Sequence, residues 1–184
     1  MRTQSAFLGL CFAVAAAPAL ASGDWKAMPV LDPAYKADIT VSALVGLMDP
    51  EHVGSDSYVG AEVAFNCLLL EPPTGIIRSK ISVGRFSNDG LQLTSYEINP
   101  RWMFNIDKNL SVGFGPGIGY VNAKDAGNTT GLWAGQVGAD LDYRIGAINL
   151  GLAARWQGTE NRVIAAGVKG ADNTLIDAKI GYNF

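Results

Sequence analysis

Histidine occurs once in the 184 residues and cysteine twice, so the side chains from which metal centres and nucleophile–base pairs are built are scarce. The one histidine, His52, stands beside Glu51 and near Ser55 and Ser57. That is less than a ligand set and less than a nucleophile with its base and orienting group, so no metal, no cofactor and no catalytic residue is expected. Cys11 falls in the N-terminal apolar stretch and Cys67 stands alone after it, which excludes an intramolecular disulfide framework. Charged residues make up only 17% and the formal net charge is −3, so no nucleic acid or other polyanion is expected as a partner. After residue 21 no apolar run approaches the roughly 18 to 20 residues of a membrane helix, which excludes a helical span.

What is present begins with an address. Arg2, the apolar Phe7 to Ala17 and the small-x-small Ala19-Leu20-Ala21 read as a signal peptide over 1–21, removed on secretion, with Ser22 as the mature start. Residues 22–34 read as an N-terminal segment without a motif, and 35–184 as one domain.

That domain is a succession of alternating segments of about ten residues, punctuated by Gly, Asp, Asn and Pro. Eight strands are predicted, over 35–47, 58–67, 76–86, 91–104, 110–123, 132–144, 148–159 and 174–184. Successive side chains alternate across a pleated strand, so each strand sorts its residues onto two faces. One face is oily, as in Val41, Ala43 and Val45, or Leu150, Leu152 and Trp156, or Ile176, Ala178 and Ile180. The other is polar or glycine. It holds seven basic groups (Lys36, Arg78, Lys80, Arg101, Arg144, Arg155, Lys179) and six acids (Asp38, Glu62, Glu97, Asp140, Asp142, Asp177). Only Arg85, near a strand end, breaks the rule on the oily face.

This bias chooses the solvent. Arg or Lys on the lipid side of a membrane barrel costs about 2–4 kcal/mol at the midplane. A slip of one residue would turn most of the charges outward and exceed the roughly 5–15 kcal/mol net stability of an ordinary domain. The oily face should meet hydrocarbon and the charged face should point inward. An interior closed by about eight strands has room only for its own side chains, so the inward charges should pair into a plug rather than line a wide channel. Gly113, Gly115, Gly117 and Gly119 fall on the inward face and should leave space for long Arg and Lys side chains from neighbouring strands. A phosphate-cradling loop needs a spacing and a strand-to-helix context that are missing. Tyr58, Trp102, Tyr120, Trp133, Tyr143, Trp156, Tyr182 and Phe184 are placed toward the ends of the oily strips, where lipid meets water.

The end Ile180-Gly-Tyr182-Asn-Phe184, with a terminal aromatic and apolar residues alternating before it, resembles the closing strand of bacterial outer-membrane β-barrels. With Gly113-Phe-Gly-Pro-Gly-Ile-Gly-Tyr120, the chain from Tyr35 onward resembles the small eight-stranded group that contains the barrel of outer membrane protein A, outer membrane protein X and the opacity proteins. The fold expected is all-β, an eight-stranded antiparallel up-and-down transmembrane β-barrel. The resemblance implies the outer membrane of a Gram-negative bacterium, contact with outer-membrane lipid and lipopolysaccharide, and Tyr182 and Phe184 as a signal for the barrel-assembly machinery. An even strand count puts both termini in the periplasm. It makes 68–75, 105–109 and 145–147 periplasmic turns and 48–57, 87–90, 124–131 and 158–173 outside loops, the last the longest.

Function then rests on sites. The leading expectation is a structural surface protein with mobile loops, 158–173 above all, that meet a host or envelope partner. A narrow pore, which would need the inner ion pairs to part, and a lipid A-modifying barrel enzyme using His52 are the alternatives. A soluble lipocalin-like barrel would invert the two faces, and the glycine-rich face, the terminal Phe and the outward Trp and Tyr argue against it.

Overall fold

The computed structural model describes residues 24–51, 53–165 and 167–184, so the leader read at 1–21 and His52 lie outside the described residues. Eight long strands close into a barrel: β2 (Thr40–Pro50), β3 (Asp56–Asn66), β5 (Ile76–Asn88), β6 (Leu91–Asn105), β7 (Leu110–Asp125), β8 (Asn128–Ile145), β9 (Ile148–Thr159) and β12 (Asn173–Asn183). Every strand is antiparallel to its sequence neighbour around the ring, and β12 returns to β2 in a register running from Asn173 against Pro50 to Asn183 against Thr40. Closure leaves no unpaired edge in the barrel, the condition under which strands can stand in lipid. Four short strands lie outside it: β1 (Lys26–Ala27), β4 (Leu70–Glu71), β10 (Val163–Ala165) and β11 (Val168–Lys169).

Two of the expected outside loops shrink to two-residue turns. Asp89-Gly90 and Ala126-Gly127 have φ of 47°, 87°, 45° and 88°, the doubly positive pattern of a tight hairpin turn whose twist matches its strands. Strand pairing therefore continues through 87–88 and 124–125. The first strand is shorter than expected: Asp38 has φ of 48°, which breaks the extended backbone, and the strand starts at Thr40 rather than Tyr35. Residues 24–37 dock on the barrel. β1 pairs with β4, and Trp25 lies 5.9 Å from Trp102, centroid to centroid.

The two faces separate as their alternation requires. Leu47, Leu152 and Ile180 are 65%, 55% and 58% exposed on the outer wall, whereas Lys80, Glu97 and Arg155 are buried inside. Tyr58 departs from the expected outward strip. It points inward, is buried, and covers Gly84, where a Cβ would sit 1.8 Å from the Tyr58 hydroxyl.

The inner face is not polar along its whole length. At the end away from the termini, Leu44, Met48, Phe86, Leu93, Val121, Leu132 and Leu175 fill the lumen with Tyr58. Loop 158–173 is folded over this end: β10 and β11 pair, and Ile164 and Ala171 enter the apolar cluster. Asp172 fastens the loop, its Oδ1 accepting from Thr159 N at 2.7 Å and Thr159 Oγ1 at 2.9 Å.

Candidate functional site

Beta strand β8 reads out the layering of the interior. From the loop end it places Ala134 in the apolar cap, Gln136 in an amide layer, Asp140 and Asp142 in an ionic layer, and Arg144 at the rim beside the termini. With Gly138, which faces Arg101, between Gln136 and Asp140, each inward residue comes two positions after the last, because only alternate side chains enter the lumen.

Asp140 is the hub of the ionic layer. Its Oδ1 takes Lys80 Nζ at 2.6 Å and Lys179 Nζ at 2.8 Å, and its Oδ2 takes Arg101 Nε at 2.8 Å. Lys80 also reaches Asp142 at 3.3 Å, while Lys179 reaches Asp142 at 3.0 Å and Glu62 at 3.5 Å. Three cations and three carboxylates from β3, β5, β6, β8 and β12 thus meet across the lumen. Opposite charges at this spacing and burial offset each other's desolvation, and a cation deprived of its partner here would cost several kcal/mol.

Glu97 organises the amide layer. Its Oε2 accepts from Asn99 Nδ2 and from Gln136 Nε2, each at 3.1 Å, and its Oε1 lies 3.0 Å from Arg155 Nη2. Arg155 Nη1 donates to Gln136 Oε1 at 2.7 Å, and Gln157 and Asn173 carry the chain of bonds to the cap. At the rim, Asp38 takes Arg78 at 2.9 Å and both terminal nitrogens of Arg144, at 3.0 and 2.9 Å. Burial by itself would raise the Asp38 carboxyl. The hydrogen bond from Arg144 and the charges of Arg78 and Arg144 outweigh it and hold the group below the usual carboxylate range.

Eleven residues form the interior network read from the sequence: Asp38, Glu62, Arg78, Lys80, Glu97, Arg101, Asp140, Asp142, Arg155, Asp177 and Lys179. The structure places them all toward the lumen, and ten enter ion pairs. Asp177 enters none within 4.0 Å among the described residues. It borders a cavity of about 30 Å³ with Tyr58, Glu97, Arg155 and Leu175, a volume on the scale of one water molecule. Lys36, expected inward, is exposed because the strand starts only at Thr40 and the chain turns at Asp38, whose side chain does reach the rim of the lumen.

The glycine run makes room, though for different neighbours than expected. A Cβ on Gly113 would strike Met103 Sδ at 2.1 Å, one on Gly117 would strike Asn99 Oδ1 at 1.9 Å, and one on Gly119 would crowd Gln157 at 3.2 Å. The glycines that admit cations are Gly138, against Arg101, and Gly151, against Lys179. Which side chains face a glycine depends on the stagger between strands, which the spacing along one strand does not contain.

Arg101 has a second task. Pro100 and Pro116 would stand opposite each other, and the ladder between β6 and β7 is interrupted there, between the pairs Ile98–Ile118 and Trp102–Phe114. Neither proline has an N–H to give. Arg101 Nη1 instead donates to the carbonyls of Gly115 at 3.1 Å and Pro116 at 2.9 Å, satisfying backbone that would be expensive to leave bare in a dry wall. Two prolines whose numbers fall in register were the signal for this role.

Tyr182 and Phe184 lie at the terminal rim, 50% and 78% exposed, with rings 5.1 Å apart edge to face. Phe184 N bonds to Ile39 O at 2.9 Å, tying the last residue to the seam of the barrel. Among the described residues no group of His, Cys, Asp and Glu is placed to hold a metal ion.

No protein-family model and no curated protein matches the chain. Solved structures do. Neisserial surface protein A is 13% identical with a TM-score of 0.54, over 79% of this chain and 96% of that one. The N-terminal β-barrel domain of Pseudomonas aeruginosa OprF is 14% identical with a TM-score of 0.53, over 81% and 100%. Ail, the attachment invasion locus protein of Yersinia pestis, is 14% identical with a TM-score of 0.52, over 80% and 97%. With its closed ring of eight antiparallel strands, the chain has the fold of the small outer-membrane β-barrels.

Proposed function

We propose that the protein is an integral outer-membrane barrel, closed to solutes, whose loop end serves surface interaction. One observation carries the reading: residues at alternate positions of the same strands are oily and outward or charged and buried, as with Ile180 at 58% exposure beside Lys179 at 5%. In water that arrangement would cost twice, exposing apolar surface and burying ions. In lipid both costs turn around. The Asp140 and Glu97 layers and the apolar cap lie in series along the lumen, which supports a closed interior, and the interior carboxylates are mostly engaged with cations, which supports a structural rather than an enzymatic role. In this reading both termini are periplasmic, the end bearing loop 158–173 is outside, and the assembly machinery engages Tyr182 and Phe184. Neisserial surface protein A and Ail carry a surface location and attachment in their names. They support the loop end as the contact region for a host or envelope partner.

Leu152→Arg tests the environment of the wall. In phospholipid vesicles the substitution should lower unfolding stability by about 2–4 kcal/mol, measured by urea titration with the gel shift between folded and boiled protein. A change within about 0.5 kcal/mol, usual for an exposed site in water, would favour the soluble barrel. Planar-bilayer recording tests closure: the unmodified protein should show no stable conductance, and a steady large current would make the pore the better reading.

A further inference from the structure

The outer wall is oily through its middle and turns polar toward the loop end, with Asp49, Ser57 and Thr174 on β2, β3 and β12 and a separate polar strip over β5 to β8 that heads a groove. Between β2 and β8 it carries a groove of about 510 Å³ whose lining includes Ala61, Val83, Tyr96, Ile118, Tyr120 and Trp133. Ala61 is the small residue of the set and is paired with Val83. Directly toward the loop end the character changes. Arg85 pairs with Thr94, Thr94 with Asn122, Gln92 with Lys124, and Lys124 with Thr129. These outward positions form a polar strip at the head of the groove, with two cations and no acid. Arg85 and Lys124 are exposed, and Arg85 is oriented by Gln92, whose Oε1 accepts from its Nη2 at 2.7 Å. Of the acids nearby, Asp89 lies in the turn between β5 and β6, Asp125 takes the alternate position after Lys124, and Glu160 is engaged by Arg162 at 3.2 Å and by Trp133 N at 3.2 Å.

We propose that this is a binding site for an acylated lipid whose headgroup carries two phosphates, with an acyl chain in the groove and the phosphates on Arg85 and Lys124. The inference rests on the reading of the wall as lipid-facing and names a specific lipid contact of that wall. An outward arginine is costly in hydrocarbon and becomes favourable where anionic oxygens meet it. A guanidinium holds phosphate with two parallel hydrogen bonds, and an ammonium adds a point charge. Zwitterionic headgroups bring their own ammonium, which two cations without an acid repel. The aromatic groove walls, Tyr96, Tyr120 and Trp133, suit the level at which acyl chain gives way to headgroup.

Native mass spectrometry of the refolded barrel in mild detergent, with equal amounts of diphosphoryl lipid A, monophosphoryl lipid A and phosphatidylethanolamine, reads the site directly. Diphosphoryl lipid A should be retained in preference. The pair Arg85→Gln with Lys124→Gln should lower its retention about tenfold, the scale of a lost charged hydrogen bond, and leave phosphatidylethanolamine unchanged. Ala61→Phe, which fills the groove and leaves the cations, should lower retention as well. Equal retention of the three lipids, or retention unchanged in both variants, would overturn the site. Gel mobility of the unheated samples separates the two readings. A folded barrel without lipid preference sinks this inference alone, and a barrel that does not insert into vesicles sinks both.

Discussion

Asp140→Ala is expected to cost the barrel about 3–5 kcal/mol, a large share of the roughly 5–15 kcal/mol that holds a domain of this size together. The physical reason is arithmetic of charge rather than loss of one contact. Lys80, Lys179 and Arg101, whose side chains are 2%, 2% and 5% exposed, all converge on this carboxylate. Without it the two lysines compete for Asp142 and Glu62, and Arg101 keeps only backbone carbonyls. The urea midpoint of refolded protein in vesicles, followed by gel mobility, should fall steeply. Asp38→Ala provides the contrast, since Asp38 is 29% exposed at the rim and water can take over part of its work, so its midpoint should fall less. Equal midpoints for Asp140→Ala and the unmodified barrel would show that the ionic layer does not hold the interior together.

Phe86→Ala combined with Arg155→Ala is expected to open a conductance that neither substitution opens alone. Reading the inner face as polar from end to end leads to the simpler expectation that breaking the Arg155–Glu97 pair suffices. The apolar cap changes that, because Phe86, Leu132, Val121 and Met48, none more than 2% exposed, close the lumen above the amide layer. Truncating Phe86 removes a ring from a filled core, at a stability cost of about 3–5 kcal/mol, and leaves a void in line with the void made at Arg155. Single-channel recording of the three variants decides the matter. Current through Arg155→Ala by itself would mean that the cap is no barrier.

Most of the architecture was legible along the chain because it is written in a local rule. Alternation at Val41, Ala43 and Val45, or at Lys179 and Ile180, needs no knowledge of neighbours, and the solvent assignment follows from the cost of one misplaced charge. The departures are of two kinds. Strand ends at Asp38, Asp89 and Ala126 turn on backbone angles. The ring of Tyr58 suits an interface wall, but its place in the alternation puts it with Glu62 on the inward face.

What the chain determined by itself was therefore the division into two faces, the number of crossings and, Lys36 excepted, the identity of the charges that enter the lumen, since each depends only on which residue follows which. Pairing was decided by the closed barrel. Stagger between strands set Asp140 amid Lys80, Lys179 and Arg101, brought Arg101 to the carbonyls beside two prolines, and gathered Leu44, Phe86, Leu132 and Ile164 into a cap, because contacts across a lumen depend on how far each strand slides past the next.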